Sequence, residues 1–332
     1  MTAPAYLPTR EPLLRLTSAG LYCPMGDFYI DPERRVDRAI TTHAHADHAR
    51  PGMGTYLATN ESEELLRRRL GRNIRLTCLA YGQSLNLGGV RVSLHPAGHI
   101  LGSAQVCLDY RGERWVVSGD YKLDADGTCA PFEPVRCQVF ITEATFGLPI
   151  YRWLPQAAVF RQLNAWWQAN REAGRVSVVY AYSLGKAQRI LAGVDASIGP
   201  LVVHHTVAAM NEGYAAAGIA LPAGIQTLKG SQPPPAGALV VAPRNTEHAR
   251  WMSRLPDVRT AFASGWVLVR RQRPAGDPGF VLSDHVDWPQ LLAAVEASGA
   301  DYVLATHGFE AEVVRYLREQ GRQADVLGVL KG

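Results

Sequence analysis

Hydrophobic and polar positions alternate in short runs along the first half of the chain. The runs are rich in β-branched residues, and several of them end at a His, Asp or Glu. This pattern is typical of half-buried strands separated by polar turns. It predicts strands within residues 35–44, 90–99, 104–110, 113–121 and 135–147.

One helix is predicted in this half, directly after Asn60. Asn60 is a capping residue type, Glu63 stands at the third helical position, and Gly71 can end the helix. The acidic start and basic end of this segment suit the helix dipole. We interpret its arginines, residues 67–69 and Arg72, as a solvated face.

From about residue 150 the pattern changes to longer amphipathic segments that alternate with apolar runs. This alternation favours a parallel α/β unit. Helices are predicted at 154–174, 184–194 and 310–321, and strands at 175–183, 201–205, 238–243, 258–266 and 301–308. Segments rich in Pro and Gly predict a surface loop at 231–238 and a boundary at 271–279.

Length and composition exclude several classes of protein. The chain has 332 residues, of which 47% are hydrophobic and 19% charged, so it is not a disordered protein. No apolar run is long enough to cross a bilayer, and the N-terminal segment is too polar for a signal peptide. We therefore expect a cytoplasmic protein, of one large domain or two ordinary ones, that does not associate with membranes.

Cysteine and arginine usage change this picture only slightly. The five cysteines form no Cys-x-x-Cys pair, which argues against a disulfide framework and against a cysteine zinc site. Lysine provides only four of the 34 basic residues. A GC-rich genome explains such an arginine excess, and so does phosphate binding by guanidinium groups. Composition alone favours the genomic explanation.

The strongest chemical signal is a cluster of polar residues directly after a predicted strand. His43, His45, Asp47 and His48 fall within six residues. Imidazole and carboxylate groups are good ligands for zinc and similar divalent ions. Further candidates follow apolar runs beside glycines, and with the cluster they complete a two-metal ligand set: His99, Asp120 and His307.

These motifs resemble a known family. HAHADH resembles the HxHxDH signature of the metallo-β-lactamase superfamily, and AGHILGSAQ, SGDY and ITEATFG resemble later motifs of its β-CASP nuclease branch. AYSLGKAQRI, APRNTEHARW and SGWVLVRR look most like the bacterial ligase-associated, Artemis-like DNA exonucleases. The resemblance implies an α/β fold, in which residues 1–149 and 271–332 form a four-layer αββα metallo-β-lactamase sandwich. Residues 150–270 would be an inserted α/β β-CASP domain.

The resemblance also implies roles for individual residues. One of two divalent ions, zinc or manganese, would be held by His43, His45 and His99. The second would be held by Asp47, His48 and His307, and Asp120 would bridge the two. Asp31 matches an acidic position that orients the ligand loop. A simple turn before Pro32 explains Asp31 equally well, and Asp27 competes for the role.

The catalytic expectations follow from the same resemblance. Water activated by two metals would hydrolyse a phosphodiester, with Asp120 holding the bridge and Asp47 orienting the water. His285 is expected to protonate the leaving group or to grip the phosphate. Glu143, which matches the family's acidic motif, would orient His285, whereas Asp284 is expected to point away.

Contacts with nucleic acid are expected around the second half of the chain. Ser183 and Lys186 precede or begin a predicted helix, whose N–H groups attract anions, although a serine cap and a solvated lysine explain them equally well. Trp266 is the candidate for base stacking. A basic run is expected to contact the phosphate backbone: Arg270, Arg271 and Arg273. His204 and His205 are interpreted as strand residues without a role.

Together these features predict a metal-dependent DNA exonuclease of DNA repair. An RNA-processing nuclease similar to mRNA 3′-end-processing enzymes is the alternative, because the motifs do not distinguish the sugar. The expected partner is single-stranded or end-containing DNA. The subfamily resemblance also implies an ATP-dependent DNA ligase and a helicase in the same pathway. The large insertion argues against a small thioester or lactam substrate, and the intact ligand set argues against a non-catalytic scaffold.

Overall fold

A computed structural model describes residues 12–229, 232–246, 252, 257–269 and 278–331. The chain divides into two compact units. Unit 1 consists of Met1–Ala125, Cys129–Arg152 and His285–Gly332, and unit 2 of Asp126–Thr128 and Trp153–Asp284. The predicted basic run, Arg270, Arg271 and Arg273, lies outside the described residues.

The strands are numbered here in chain order. They are β1 (Arg15–Thr17), β2 (Gly20–Cys23), β3 (Phe28–Ile30), β4 (Arg38–Ile40), β5 (Thr55–Thr59), β6 (Leu76–Leu79), β7 (Ser84–Leu87), β8 (Val90–Pro96), β9 (Ala104–Tyr110), β10 (Glu113–Val117), β11 (Val139–Ala144), β12 (Val176–Tyr180), β13 (Leu201–Val203), β14 (Gln226–Thr227), β15 (Leu239–Ala242), β16 (Val258–Ala263), β17 (Gly279–Phe280), β18 (Tyr302–Gly308) and β19 (Gln323–Val326).

The helices are α1 (Glu63–Leu70), α2 (Gln156–Glu172), α3 (Lys186–Gly193), α4 (His205–Ala216), α5 (Trp288–Ser298) and α6 (Glu310–Glu319). Short 3₁₀ turns cover Asn60–Ser62, Arg244–Thr246, Gly265–Leu268 and Leu327–Leu330. The mixed α/β class predicted from the sequence is confirmed. Among the described residues, no helix is both long and apolar enough to span a membrane.

Unit 1 is built on two sheets. One has six strands in the order β1-β2-β3-β4-β5-β6, and the other has seven in the order β19-β18-β11-β10-β9-β8-β7. Strand residues alternate between faces, so Ile40 and Leu57 of the first sheet point into a core that they share with Val106 and Ile141 of the second. The two sheets therefore pack face to face.

Helices cover the outer faces of both sheets in unit 1. Phe140 of the second sheet packs with Leu291 of α5 and Val313 of α6. On the first sheet, Tyr56 belongs to a smaller cluster against which Leu70 of α1 packs. The resulting order is helix, sheet, sheet, helix. Loops at the ends of these strands carry the candidate ligands.

Unit 2 contains one sheet of six strands in the order β14-β13-β15-β12-β16-β17, and all of its pairings are parallel. Its central strand β12 is buried at every position, as expected for a parallel strand covered on both faces. Helices α2, α3 and α4 contribute Leu163, Ile190 and Val207 to the core on one face. Strand β17 joins this sheet, so residues 279–280 belong to unit 2. The sequence analysis assigned residues 271–332 to the first domain.

Two local predictions were wrong. Helix α1 begins at Glu63, after a 3₁₀ turn that starts at Asn60, and Asn60 does not cap it. The predicted strand at 201–205 ends at Val203. His204 instead caps α4, because its ring accepts a hydrogen bond from the Thr206 N–H, and His205 is the first helical residue. At His204 a polar side chain satisfies a backbone N–H in a way that hydropathy does not reveal.

Candidate metal centre

The ligand loop of unit 1 follows β4 and is fastened by Asp31. One carboxylate oxygen of Asp31 accepts the Thr42 N–H at 2.8 Å. The other oxygen accepts the Thr42 hydroxyl at 2.5 Å and lies 2.7 Å from His48 Nδ1. Asp27, the competing candidate, instead binds Tyr22 and Arg38. The structure therefore brings Asp31, and not Asp27, to the ligand loop.

A first group of ligand-type atoms converges beside this loop. The group consists of His43, His45, His99 and Asp120, and one ligand atom from each lies within 4.8 Å of all the others. His45 Nδ1 lies 3.1 Å from His43 Nε2 and 3.1 Å from His99 Nε2. The Asp120 carboxylate completes the group, 3.5 Å from His43 Nε2 and 3.7 Å from His99 Nε2.

The donor chemistry of this first group fits a divalent cation. Two zinc–nitrogen bonds of about 2.0–2.1 Å at a tetrahedral angle place their nitrogens a little over 3 Å apart, close to the observed separations. Burial and the neighbouring histidines hold the pKa of His43 well below its usual value. His43 is therefore neutral at physiological pH, the form in which an imidazole nitrogen binds a metal. This cluster is compatible with metal binding.

Glycines allow the loops that carry these ligands to approach closely. Gly119 precedes Asp120 and has a φ of +57°, and a Cβ atom at that position would lie 2.8 Å from Cβ of Thr42. Gly98 precedes His99 with a φ of +73°, and a Cβ atom there would lie 2.2 Å from the carbonyl oxygen of Lys122. Any other residue at either position would push a ligand away from the group.

The predicted second ligand set is assembled less tightly. His48 Nε2 lies 3.6 Å from the Asp120 carboxylate and 3.8 Å from that of Asp47. The ring of His307 lies farther away, with its centroid 6.1 Å from that of His48. The Asp47 side chain is 73% exposed and His307 is also exposed, so this side of the cluster is open to solvent.

Charges around His48 and Asp120 reinforce each other. Burial lowers the pKa of His48, but the carboxylates of Asp120 and Asp31 outweigh it and raise the pKa to about 10. Burial raises the pKa of Asp120, but the surrounding histidines, His48 first, hold it well below its usual range. His48 must therefore release a proton before its nitrogen can bind a cation.

His285 and Glu143 form a third group with Asp120. Their ligand-type atoms also lie within 4.8 Å of one another. His285 Nδ1 is 2.8 Å and 3.1 Å from the two Glu143 oxygens and 3.9 Å from Asp120. Glu143 is buried at the end of β11 and accepts the Tyr121 N–H at 2.8 Å and the Thr145 hydroxyl. Glu143 is thus held rigidly enough to fix the ring of His285.

Tyr121 and Thr145 were missed by the sequence reasoning. Thr145 stands two residues after Glu143 in the segment ITEATFG, and Tyr121 directly follows Asp120. The position of Thr145 beside a predicted site residue was a usable signal for it. The contact from Tyr121 is made by its backbone, which no side-chain pattern reveals.

The described residues that were predicted to bind nucleic acid lie in unit 2. Ser183 shares a hydrogen bond of 3.0 Å with the Thr206 hydroxyl. The Lys186 side chain is only 5% exposed, and its ammonium lies 3.3 Å from Asp284, which argues against the predicted phosphate contact. Asp284 also pairs with Arg189 at 2.9 Å. Trp266 is 36% exposed.

Comparisons with known proteins place the chain beside nucleic-acid enzymes. It is 33% identical over 320 residues to a probable DNA ligase of Opitutus terrae, a match that covers 94% of this chain and 31% of that protein. It is 26% identical over 123 residues to the endoribonuclease YSH1 of Saccharomyces cerevisiae, covering 36% of this chain and 16% of that one. The Aspergillus fumigatus ysh1 endoribonuclease is 32% identical over 114 residues, 33% of this chain and 13% of that protein.

The chain therefore spans about a third of the length of the first relative and less of the other two. No family model matches it. The matches to the YSH1 proteins are local, whereas the match to the ligase relative runs along nearly the whole chain. The chain is thus similar to one part of a probable DNA ligase and, over a shorter stretch, to endoribonucleases.

Proposed function

We propose that this chain is a metal-dependent nuclease of the β-CASP branch of the metallo-β-lactamase superfamily, and that it degrades DNA from an end during DNA repair. Unit 1 would be the metallo-β-lactamase domain and unit 2 the β-CASP domain. The convergence of His43, His45, His99 and Asp120 beside the Glu143–His285 pair carries the proposal. It joins a metal-type donor set to a proton donor within one unit.

The chain's own residues divide the proposed reaction between them. His43, His45 and His99 would hold one divalent ion, Asp47, His48 and His307 the second, and Asp120 both. Zinc or manganese ions bound there supply Lewis acidity to a phosphodiester oxygen and lower the pKa of a water molecule. Asp47, the most exposed carboxylate of the set, would orient that water.

His285 acts on the departing strand in this proposal. Glu143 accepts a hydrogen bond from the Nδ1–H of His285, which fixes the ring orientation. Nε2–H of the doubly protonated ring would then give its proton to the leaving oxygen, and the ring would be left neutral with the proton on Nδ1. Because Glu143 is itself held by Tyr121 and Thr145, the ring keeps one orientation while substrate is bound.

The similarity to a probable DNA ligase along 94% of the chain favours DNA as the substrate. We also propose an ATP-dependent DNA ligase and a helicase as partners in the same pathway. The local similarity to YSH1 endoribonucleases favours a second candidate, an RNA-processing nuclease on the same scaffold. Both candidates use the same ligands, so they differ only in the strand that is accepted.

Digestion of end-labelled DNA and RNA tests this proposal. The protein is loaded with Mn²⁺ or Zn²⁺ and incubated with single strands labelled at the 5′ or the 3′ end. We expect mononucleotides to be released from one end of DNA, and expect the Asp120→Asn variant to release none. Cleavage of RNA alone would establish the second candidate. Cleavage of neither strand by fully metal-loaded protein would overturn both.

A further inference from the structure

We propose that unit 2 holds unpaired bases of a nucleic-acid strand against the rings of Tyr182 and Trp266, in a crevice at the carboxyl edge of its parallel sheet. The proposal rests on the proposed nuclease function, and it assigns a base-stacking surface outside the ligand groups of unit 1.

Tyr182 and Trp266 follow the carboxyl ends of neighbouring strands. Strands β12 and β16 pair in parallel, with Tyr180 opposite Phe262. Tyr182 stands two residues beyond this pair on one strand, and Trp266 four residues beyond it on the other. Since paired strands lie about 4.8 Å apart, both rings belong to the same short stretch of the sheet edge.

The chain leaves these two strands in opposite directions. From β12 it passes through α3 to β13, which lies toward the β14 edge of the sheet. From β16 it passes to β17, which forms the opposite edge. Adjacent strands whose connections diverge leave a crevice outside their carboxyl ends, and this is where open α/β sheets bind ligands.

The two rings face solvent, unlike some of the aromatic side chains described in unit 2. Tyr182 is 71% exposed and Trp266 is 36% exposed, whereas Tyr180 and Trp167 are almost completely buried in the cores. Leu268, close to Trp266 in the chain, is also exposed. Exposed aromatic residues at a ligand-binding edge are typical of surfaces on which unpaired bases stack.

A buried charge holds one ring in place. The Lys186 ammonium lies 5.3 Å from the centroid of the Tyr182 ring and 3.3 Å from the Asp284 carboxylate. This cation–π contact restrains the Tyr182 ring before any strand arrives, so less conformational entropy is lost on binding. Lys186 thus acts on the base through Tyr182, and not on a phosphate.

Flat aromatic faces favour bases over the other occupant of such a surface, an aliphatic side chain of a partner protein. Stacking is tolerant of sequence because every base has a π-face. A nuclease that works along a strand needs such tolerance. The expected ligand is therefore a single strand of any sequence that carries bases.

Binding of base-bearing and abasic strands tests the proposal. A short fluorescent DNA strand and an abasic strand of the same length are titrated with the full chain in the presence of a chelator, which prevents cleavage. We expect Tyr182→Ala and Trp266→Ala each to weaken binding of the base-bearing strand on the order of ten-fold. Binding of the abasic strand should not change.

Matched variants separate stacking from folding. Tyr182→Phe and Trp266→Phe keep an aromatic ring and should bind nearly as wild type does. Val329→Ala removes an exposed apolar side chain from unit 1 and should have no effect. Thermal unfolding of each variant is measured beside its binding, and equal midpoints show that the fold is intact.

Two results would overturn the proposal. One is that the Ala variants bind the base-bearing strand as tightly as wild type. This result would overturn the proposal even if the same variants lost binding to a partner protein. The other is an equal loss for both strands. The digestion assay separates this failure from that of the proposed function. If wild type cuts neither DNA nor RNA while base-dependent binding needs both rings, the nuclease function fails and the stacking surface stands.

Discussion

Unit 1 and unit 2 each bury charged or ionisable side chains where strands end. In unit 1, His43, His45, His99 and Asp120 direct ligand atoms at one another within 4.8 Å, and three of the four are imidazoles. In unit 2 the buried groups have opposite charges and are paired: Lys186 and Arg189 with Asp284, and Arg189 also with Asp126.

The difference separates a binding site from a structural cluster. Opposite charges at 2.9–3.4 Å, as in unit 2, offset each other's loss of hydration and require nothing from outside. Imidazole nitrogens that converge at 3.1 Å offset one another much less, and a bound cation satisfies all of them at once. Burial alone therefore does not distinguish function from packing, whereas the sign of the neighbouring charges does.

The largest expected effect comes from removing the charge shared by all groups of unit 1. Asp120→Asn should lower the nuclease rate roughly 10⁴-fold, because a carboxylate shared by the metal ligands is worth several kcal/mol of transition-state stabilisation. The Asp120 carboxylate lies within 3.9 Å of ring nitrogens of four histidines: His43, His48, His99 and His285. Steady-state digestion of labelled DNA measures the rate. Asp109→Asn is the control. It removes the ion pairs of Asp109 with Arg91 and Arg114 on the same sheet and should keep full activity. Equal activity in both variants would contradict the site.

In unit 2 the expected effect is on stability. Asp284→Asn leaves two buried cations facing a neutral amide and should lower the free energy of unfolding by about 3–5 kcal/mol. Urea unfolding followed by circular dichroism measures it. Asp257→Asn breaks a half-exposed ion pair with Arg175 in the same unit and should change stability little. If Asp284→Asn unfolds at the same urea concentration as wild type, the cluster does not hold unit 2 together.

Glu143→Gln should have a smaller effect than either. The amide cannot match the carboxylate's attraction for the Nδ1–H of His285, so the ring loses its fixed orientation. We expect a rate about 10- to 100-fold lower, the usual cost of removing a group that orients a site histidine, with unchanged metal content. Thr145→Val, which removes one support of Glu143, should lower the rate less. Loss of metal in Glu143→Gln would instead make Glu143 a ligand.

Lys186→Met should have the smallest effect on strand binding. Because its ammonium faces Asp284, its loss should leave the slope of log binding constant against log salt unchanged. A phosphate contact would contribute about one unit to that slope, or slightly less. Titration of a labelled strand at several salt concentrations measures the slope, and a slope shallower by that amount would restore Lys186 as a phosphate ligand.

The sequence predicted much of unit 1 because its chemistry is local. His43 to His48 follow a strand in a short loop, and Asp120 and His307 come at the ends of apolar runs, whereas Glu143 was assigned by the resemblance of its motif. The α/β class and the alternation of strands and helices in unit 2 were equally legible from periodicity.

What the sequence could not predict depends on distant partners. Lys186 looked like a surface cation because Asp284, almost a hundred positions later, carries no mark of pairing with it. Asp27 competed with Asp31 for the role of orienting the ligand loop until the fold placed only Asp31 beside His48. The distances of Asp47 and His307 from His48 likewise depend on tertiary geometry. The roles of the ligand residues stay predictions that the measurements above address.

The central claim is that the group in unit 1, and not the charge cluster in unit 2, binds the metal. Metal content per chain, measured by mass spectrometry after loading with Zn²⁺ or Mn²⁺ and desalting, tests it most directly. Wild type and Lys186→Met should retain stoichiometric metal, and His99→Ala should lose it. Retention of wild-type metal content by His99→Ala, or its loss by Lys186→Met, would contradict the account.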